Sequence, residues 1–169
     1  MKKRTINNFL LFTAFILLSF SCGRNRNIIF TDSAVMPGNK WELSDKPDFR
    51  VIINDTTLKT NIYFSIRTGS DYPFRNIWLF VTATSPDGKT SITDTLQYDL
   101  ADEKGKWFGK GFGDIHELKL PFRQNVFFPM KGTYHFAIQH GMRTEELKGV
   151  YDFGIRVEKT TGNSSRGKE

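Results

Sequence analysis

The chain of 169 residues has one cysteine, Cys22. It therefore has no partner for an intramolecular disulfide, and a thiol-based metal site usually needs more than one such ligand, while the nearest histidine is far away in sequence. Histidine is nearly as scarce, with only His116, His135 and His140. His135 and His140 are separated by an odd spacing, so they cannot share one face of a straight strand. His116 has Asp114 nearby, but one His and one Asp do not make a site, so no metal is expected. No serine stands in a nucleophile-elbow context. The stretch GKWFGKGFG lacks the Gly-Lys-Ser/Thr of a phosphate-binding loop, because Lys110 is followed by Gly111 and no helix follows. There is no apolar run of the roughly 20 residues that span a bilayer core. Excess charge is also small. Of the net +6, Lys2, Lys3 and Arg4 supply half, and the rest of the chain carries 18 acidic residues. A nearly neutral body leaves no electrostatic footprint for nucleic acid. These absences leave nothing that argues for catalysis, a metal, a cofactor or a nucleotide.

What is present begins at the N-terminus. The basic MKKR precedes an apolar run, FLLFTAFILLSF at residues 9–20, broken only by Thr13 and Ser19. A basic region followed by an apolar region of this length reads as a secretory signal peptide. SFSC then resembles a lipobox, in which cleavage before a cysteine leaves that residue as the lipidated N-terminus. Ser21 fits the cleavage position, whereas Phe20 and Ser19 depart from the commoner pattern. The alternative is an ordinary secreted protein with a stray thiol. Each buried CH₂ of an acyl chain contributes about 0.8 kcal/mol, so two or three chains on Cys22 would hold the protein at a membrane permanently on cellular timescales. The expected organisation is a signal peptide over 1–21, a lipidated N-terminus and polar tether over 22–40, a β domain over 41–159 and a flexible tail over 160–169.

Within the domain the apolar period is two. TNIYFSIR places Ile62, Phe64 and Ile66 opposite Asn61, Tyr63, Ser65 and Arg67; GTYHFAIQ places Tyr134, Phe136 and Ile138 opposite His135, Ala137 and Gln139. VYDFGIRV sets Tyr151, Phe153, Ile155 and Val157 against Asp152, Gly154 and Arg156. Such alternation marks half-buried antiparallel strands. NIWLFVTAT is apolar on both faces, which predicts a central strand or one covered by a loop. FRVIIN, HELKLPF and TSITDTLQYDL are further strands, and SPDGK is a tight turn joining two of them. About eight short strands with regular turns predict an all-β, antiparallel β-sandwich, jelly-roll or immunoglobulin-like.

Four aromatic residues form a tentative binding surface. Trp107 and Phe108 sit in a glycine-rich loop, residues 101–115, and serve either as a partner or glycan platform or as a cap folded over one end of the sandwich. Tyr72 and Phe74 flank Pro73 and are either exposed for binding or buried beneath that end. Asp94 shares a face with Ile92, Leu96 and Tyr98, the position of a bulge, an edge or, less commonly, a general acid. Glu145 and Glu146 fall in GMRTEELKG, read as a solvated charged loop.

YPFRNIWLFV, DTLQYDLAD with GKWFGKGFGDI, KGTYHFAIQHGMR and LKGVYDFGIRVEK resemble the GldH family of gliding motility-associated lipoproteins of the Bacteroidota, from about Trp41 to Lys159. The resemblance implies lipidation at Cys22 and a cell-envelope protein linked to gliding and type IX secretion; it implies no catalytic mechanism. Surface-exposed lipoproteins of that phylum often carry acidic residues after the cysteine. GRNR is basic, which points to the periplasmic face of the outer membrane. The expectation is a lipid-anchored accessory or scaffold protein, not an enzyme, with no cofactor beyond the covalent lipid. Its partners are the membrane and other envelope proteins, not nucleic acid. The alternative is a glycan- or peptide-binding β-sandwich lipoprotein of the outer membrane.

Overall fold

A computed structural model describes residues 27–160, which build two antiparallel sheets packed as a sandwich. The strands are β1 (Ile28–Val35), β2 (Lys40–Glu42), β3 (Asp48–Ile53), β4 (Thr60–Gly69), β5 (Asn76–Thr84), β6 (Ser91–Asp99), β7 (Lys110–Phe112), β8 (Ile115–Val126), β9 (Gly132–His140), β10 (Glu146–Lys148) and β11 (Val150–Lys159). Eight of these have six residues or more, and three are short pieces of three. One sheet runs β1-β11-β4-β8-β7 and the other β3-β9-β5-β6, while β2 and β10 pair alone.

The alternation read from sequence is the packing rule. Along β4, Ile62, Phe64 and Ile66 are buried and Arg67 is exposed. Along β9, Tyr134, Phe136, Ile138 and His140 all point inward. Phe49, Val51 and Ile53 do the same on β3, as do Phe153, Ile155 and Val157 on β11. Each fully buried side chain of this size stabilises the fold by about 1.5–3 kcal/mol. A one-residue slip of register would turn the whole set outward. Trp41 seals the core at one end. Its ring meets Phe153 at 5.0 Å and the edge of His140 at 5.6 Å, and its indole N–H donates to the Asp45 carbonyl at 3.0 Å.

Several expectations require correction. Residues 28–40, assigned to the tether, include a full edge strand: β1 pairs with β11 from Ile28↔Glu158 to Val35↔Asp152. Half of β1 is exposed, so its own pattern is weak. The loop over 101–115 is partly ordered as strand, since Ala101 bridges Trp107 and β7 pairs with β8. Glu146 belongs to β10, and its carboxylate accepts from the Lys40 ammonium at 2.9 Å. β5 is central, but its second face is uncovered.

The sandwich has two distinct ends. Both described chain ends lie at one, the near end: the Lys159 N–H donates to the Asn27 carbonyl at 2.7 Å and the Thr160 N–H to the Lys59 carbonyl at 2.8 Å. Thr60 pairs with Val126 and Ile53 with Gly132 there. Residues 36–47, 70–75, 100–114 and 141–149 form the far end.

Candidate functional site

β5 alternates Ile77, Leu79 and Val81 into the core with Trp78 and Phe80 on the outer sheet face, 40% and 41% exposed. Phe74, in the connection before β5, is 38% exposed. Phe74, Asn76, Trp78, Gly141, Met142 and Arg143 line a groove of about 420 Å³ at the far end of this face. Trp, Phe, Met and Arg are the residue types enriched where proteins bind proteins, because each offers large area with few frozen rotors or a planar set of donors.

The groove has a built floor. The Gly141 N–H donates to the Trp78 carbonyl at 2.7 Å. A Cβ at Gly141 would sit 3.0 Å from the Phe80 ring and 3.3 Å from the Trp78 Cβ, so glycine keeps the two aromatics accessible. The Trp78 N–H donates to the Met142 thioether at 3.3 Å, a sulfur standing where a strand carbonyl would otherwise accept. Trp78 is therefore held through both its backbone N–H and its carbonyl by the Gly141-Met142 segment.

The four aromatics singled out in the sequence are not brought together as one surface. Tyr72 is buried; its hydroxyl donates to the Asn76 carbonyl at 2.9 Å, and burial pushes the phenol well above its ordinary pKa. Trp107 meets the Tyr72 ring at 6.1 Å and stacks on His116 at 5.1 Å with 13° between planes. These two cap the far end. Phe74 contacts Tyr72 edge-on at 6.0 Å and faces the groove. Phe108 is 61% exposed and borders a separate hollow of about 560 Å³ with Tyr98, Lys110 and Leu118. Cys22 lies outside the described residues.

Trp78, Phe80 and Arg143 were not selected from sequence. The available signal was the doubly apolar NIWLFV, which fits a covered strand and a binding face equally well. The remaining polar candidates are occupied by structure. Asp94 lies on the edge strand β6 and accepts from the Arg123 guanidinium at 2.6 Å. Beside it, the Tyr98 hydroxyl donates to the Pro121 carbonyl at 2.8 Å, tying the two sheets together, and burial pushes that phenol up to about 12. His135 pairs with Asp48 at 2.9 Å. On the outer face of the other sheet, Arg67–Asp152, Lys119–Glu158 and Arg156–Glu158 form a ladder of ion pairs in which Glu158 is shared by two cations.

Residues 28–157 match the family described as GldH lipoprotein. The chain is 34% identical, over 152 residues, to the "Gliding motility lipoprotein GldH homolog" of Christiangramia forsetii, covering 86% of this chain and 91% of that protein. It is 36% identical, over 162 residues, to "Gliding motility lipoprotein GldH" of Flavobacterium johnsoniae, covering 92% and 98%. A solved structure of carbohydrate-binding modules from the β-sandwich superfamily aligns with a TM-score of 0.28 and 14% identity over 83% of this chain and 58% of that one, too weak a likeness to argue from.

Proposed function

The chain belongs to the GldH lipoprotein family, and from that premise we propose that it is a lipid-anchored accessory or scaffold protein of a gliding-motility or type IX secretion-associated envelope assembly. Cys22 carries the lipid, and the basic residues Arg24 and Arg26 after it favour the periplasmic face of the outer membrane. The sandwich then works by contact with another envelope protein. The observation that carries this reading is the exposure of Trp78 and Phe80 side by side on an ordered central strand, beside the groove with Phe74 and Arg143. Exposed aromatics on a loop are cheap to rearrange. Here they are fixed by β5 pairing on both sides, to β6 and β9.

The test is photo-crosslinking in cells from an unnatural amino acid at Phe80. Specific adducts with one or a few envelope proteins are expected, lost when Trp78→Ala is combined in the same chain. No protein adduct from this position, with the protein correctly folded and membrane-bound, would count against the reading.

A second reading is glycan binding at the same groove. It is favoured by the neutral hydrogen-bonding groups around Trp78: Gln97 lies directly across the strand pair and Asn76 shares the groove. A stacking aromatic flanked by amides also suits a sugar ring. Binding on a glycan array that disappears in Trp78→Ala would select this reading over a protein partner.

A further inference from the structure

We infer that the near end of the sandwich is a second membrane contact, seated in the headgroup layer of an anionic phospholipid surface beside the anchor. The inference rests on the lipidation of Cys22 proposed above.

Reach comes first. Six positions separate Cys22 from Ile28, so even a fully extended connection spans at most about 20 Å. β8, with twelve residues, is itself about 40 Å long. The connection is shorter than the module, so the end at which β1 begins is the one held against lipid. The groove at Trp78 lies toward the opposite end.

The chemistry of the near end fits a membrane interface. Phe127 and Ile52 are more than half exposed and Met130 is also exposed. The loop between β8 and β9 holds its apolar tips outward by construction. Phe128 is buried against the Tyr134 ring at 4.8 Å, and the Tyr134 hydroxyl exchanges hydrogen bonds with the Met130 N–H and carbonyl, both at 3.2 Å. Just before it, the Asn125 N–H donates to the Asn61 side-chain carbonyl at 2.8 Å. With Phe128 turned in, Phe127 and Met130 are presented to the outside.

Exposed lysines surround these tips: Lys59, Lys131 and Lys159, with Lys89 in the neighbouring β5–β6 turn. The acids at this end are Asp55, Asp87 and Glu158, and Glu158 is paired with Lys119 and Arg156. Hydrogen bonds from Thr57 hold the Asp55 carboxyl below its ordinary pKa, and the charges of Lys131 and Lys159 lower it further. Asp87 is occupied by Ser85 and the Lys89 N–H. Apolar tips ringed by lysine are the pattern that partitions into the headgroup region of anionic membranes.

The experiment uses full-length protein purified from membranes and reconstituted in phosphatidylethanolamine/phosphatidylglycerol vesicles. Acylation occupies the Cys22 sulfur, so a cysteine introduced elsewhere is the sole free thiol for a bimane label. Asn54→Cys reports the near end and Glu103→Cys the far end. Headgroup-nitroxide lipids are expected to quench the near-end label at least about threefold more than the far-end label. Phe127→Asp with Met130→Asp should lower the near-end quenching at least about twofold without releasing the protein, and so should Lys59→Glu with Lys131→Glu and Lys159→Glu; near-end quenching unchanged in both variants would mean that the tether alone holds this end at the surface and would overturn the docking. Equal quenching at the two positions in an acylated chain overturns the docking and leaves the anchor standing. Intact-mass spectrometry separates the other failure: a chain with no acyl mass on Cys22 removes the anchor and the docking together.

Discussion

The backbone N–H of Trp78 is bonded to the sulfur of Met142, 3.3 Å away. This single contact joins the exposed strand β5 to the segment that follows β9, where regular pairing has stopped at Leu79↔His140. Met142→Leu keeps most of the volume and removes the acceptor. The freed N–H is partly buried, so the variant should be destabilised by about 1 kcal/mol. Urea denaturation reads this as a lower midpoint at unchanged slope. A midpoint equal to wild type would mean that the sulfur only fills space.

How much of this was legible in sequence depended on whether a residue's fate is set locally. Phe64 and Ile66 announced their face because their neighbours on β4 alternate in polarity, and burying either side otherwise would strand polar groups. β1 gave no such signal. Ile28, Ile29 and Phe30 are consecutive, Thr31, Asp32 and Ser33 follow, and Pro37-Gly38 reads as linker; only pairing with β11, more than a hundred residues away, makes this a strand. Trp107 and Phe108 are adjacent in sequence and part company in space. The Ala101↔Trp107 bridge decides which of the two turns inward onto Tyr72 and His116. Trp78 and Phe80 were legible as apolar, but whether anything covers them depends on loops elsewhere in the chain.

Gly149 and Gly38 both have positive φ, at +74° and +62°, yet they should respond very differently to alanine. At Gly38 nothing lies within 4 Å of an added Cβ, so the cost of Gly38→Ala is the left-handed conformation alone, about 1 kcal/mol. At Gly149 the Cβ would lie 2.5 Å from the Tyr72 nitrogen and 2.7 Å from its Cα. Relief requires moving backbone beneath the Phe74 connection. Gly149→Ala should therefore cost about 3 kcal/mol or more. Thermal melts of the two variants side by side check this, and equal losses would refute the collision.

His140 is completely buried, and neither ring nitrogen has a well-aligned hydrogen-bond partner. Burial lowers its pKa below the ordinary histidine value, with a smaller opposing pull from the Trp41 backbone. The unfolded chain therefore binds a proton near pH 6.5 that the folded chain refuses. The stability that follows from keeping this ring neutral is fully present above that pH. It is lost progressively as pH falls toward the depressed folded value. Between pH 7.5 and 5.5 the melting temperature of wild type should fall more than that of His140→Leu, since His116 and His135 are common to both. Parallel curves would show that His140 is not the group responsible.

The far end should separate cap from groove by opposite phenotypes. Trp107 stacks on His116 and touches Tyr72, so Trp107→Ala opens a cavity under the end of the sandwich and should cost about 2–4 kcal/mol. Its neighbour Phe108 is mostly solvent-exposed, so Phe108→Ala should stay within about 0.5 kcal/mol of wild type. Trp78→Ala and Phe80→Ala also remove area that is largely outside the core, and their stability losses should be about 1 kcal/mol or less. Partner capture should follow the reverse order, abolished by the β5 substitutions and retained in Trp107→Ala at temperatures where that variant is folded. Urea midpoints and the yield of partner co-purified from membranes, measured on the same four variants, decide the matter. If Trp107→Ala lost the partner while keeping wild-type stability, the aromatic surface would belong to the glycine-rich segment and not to β5.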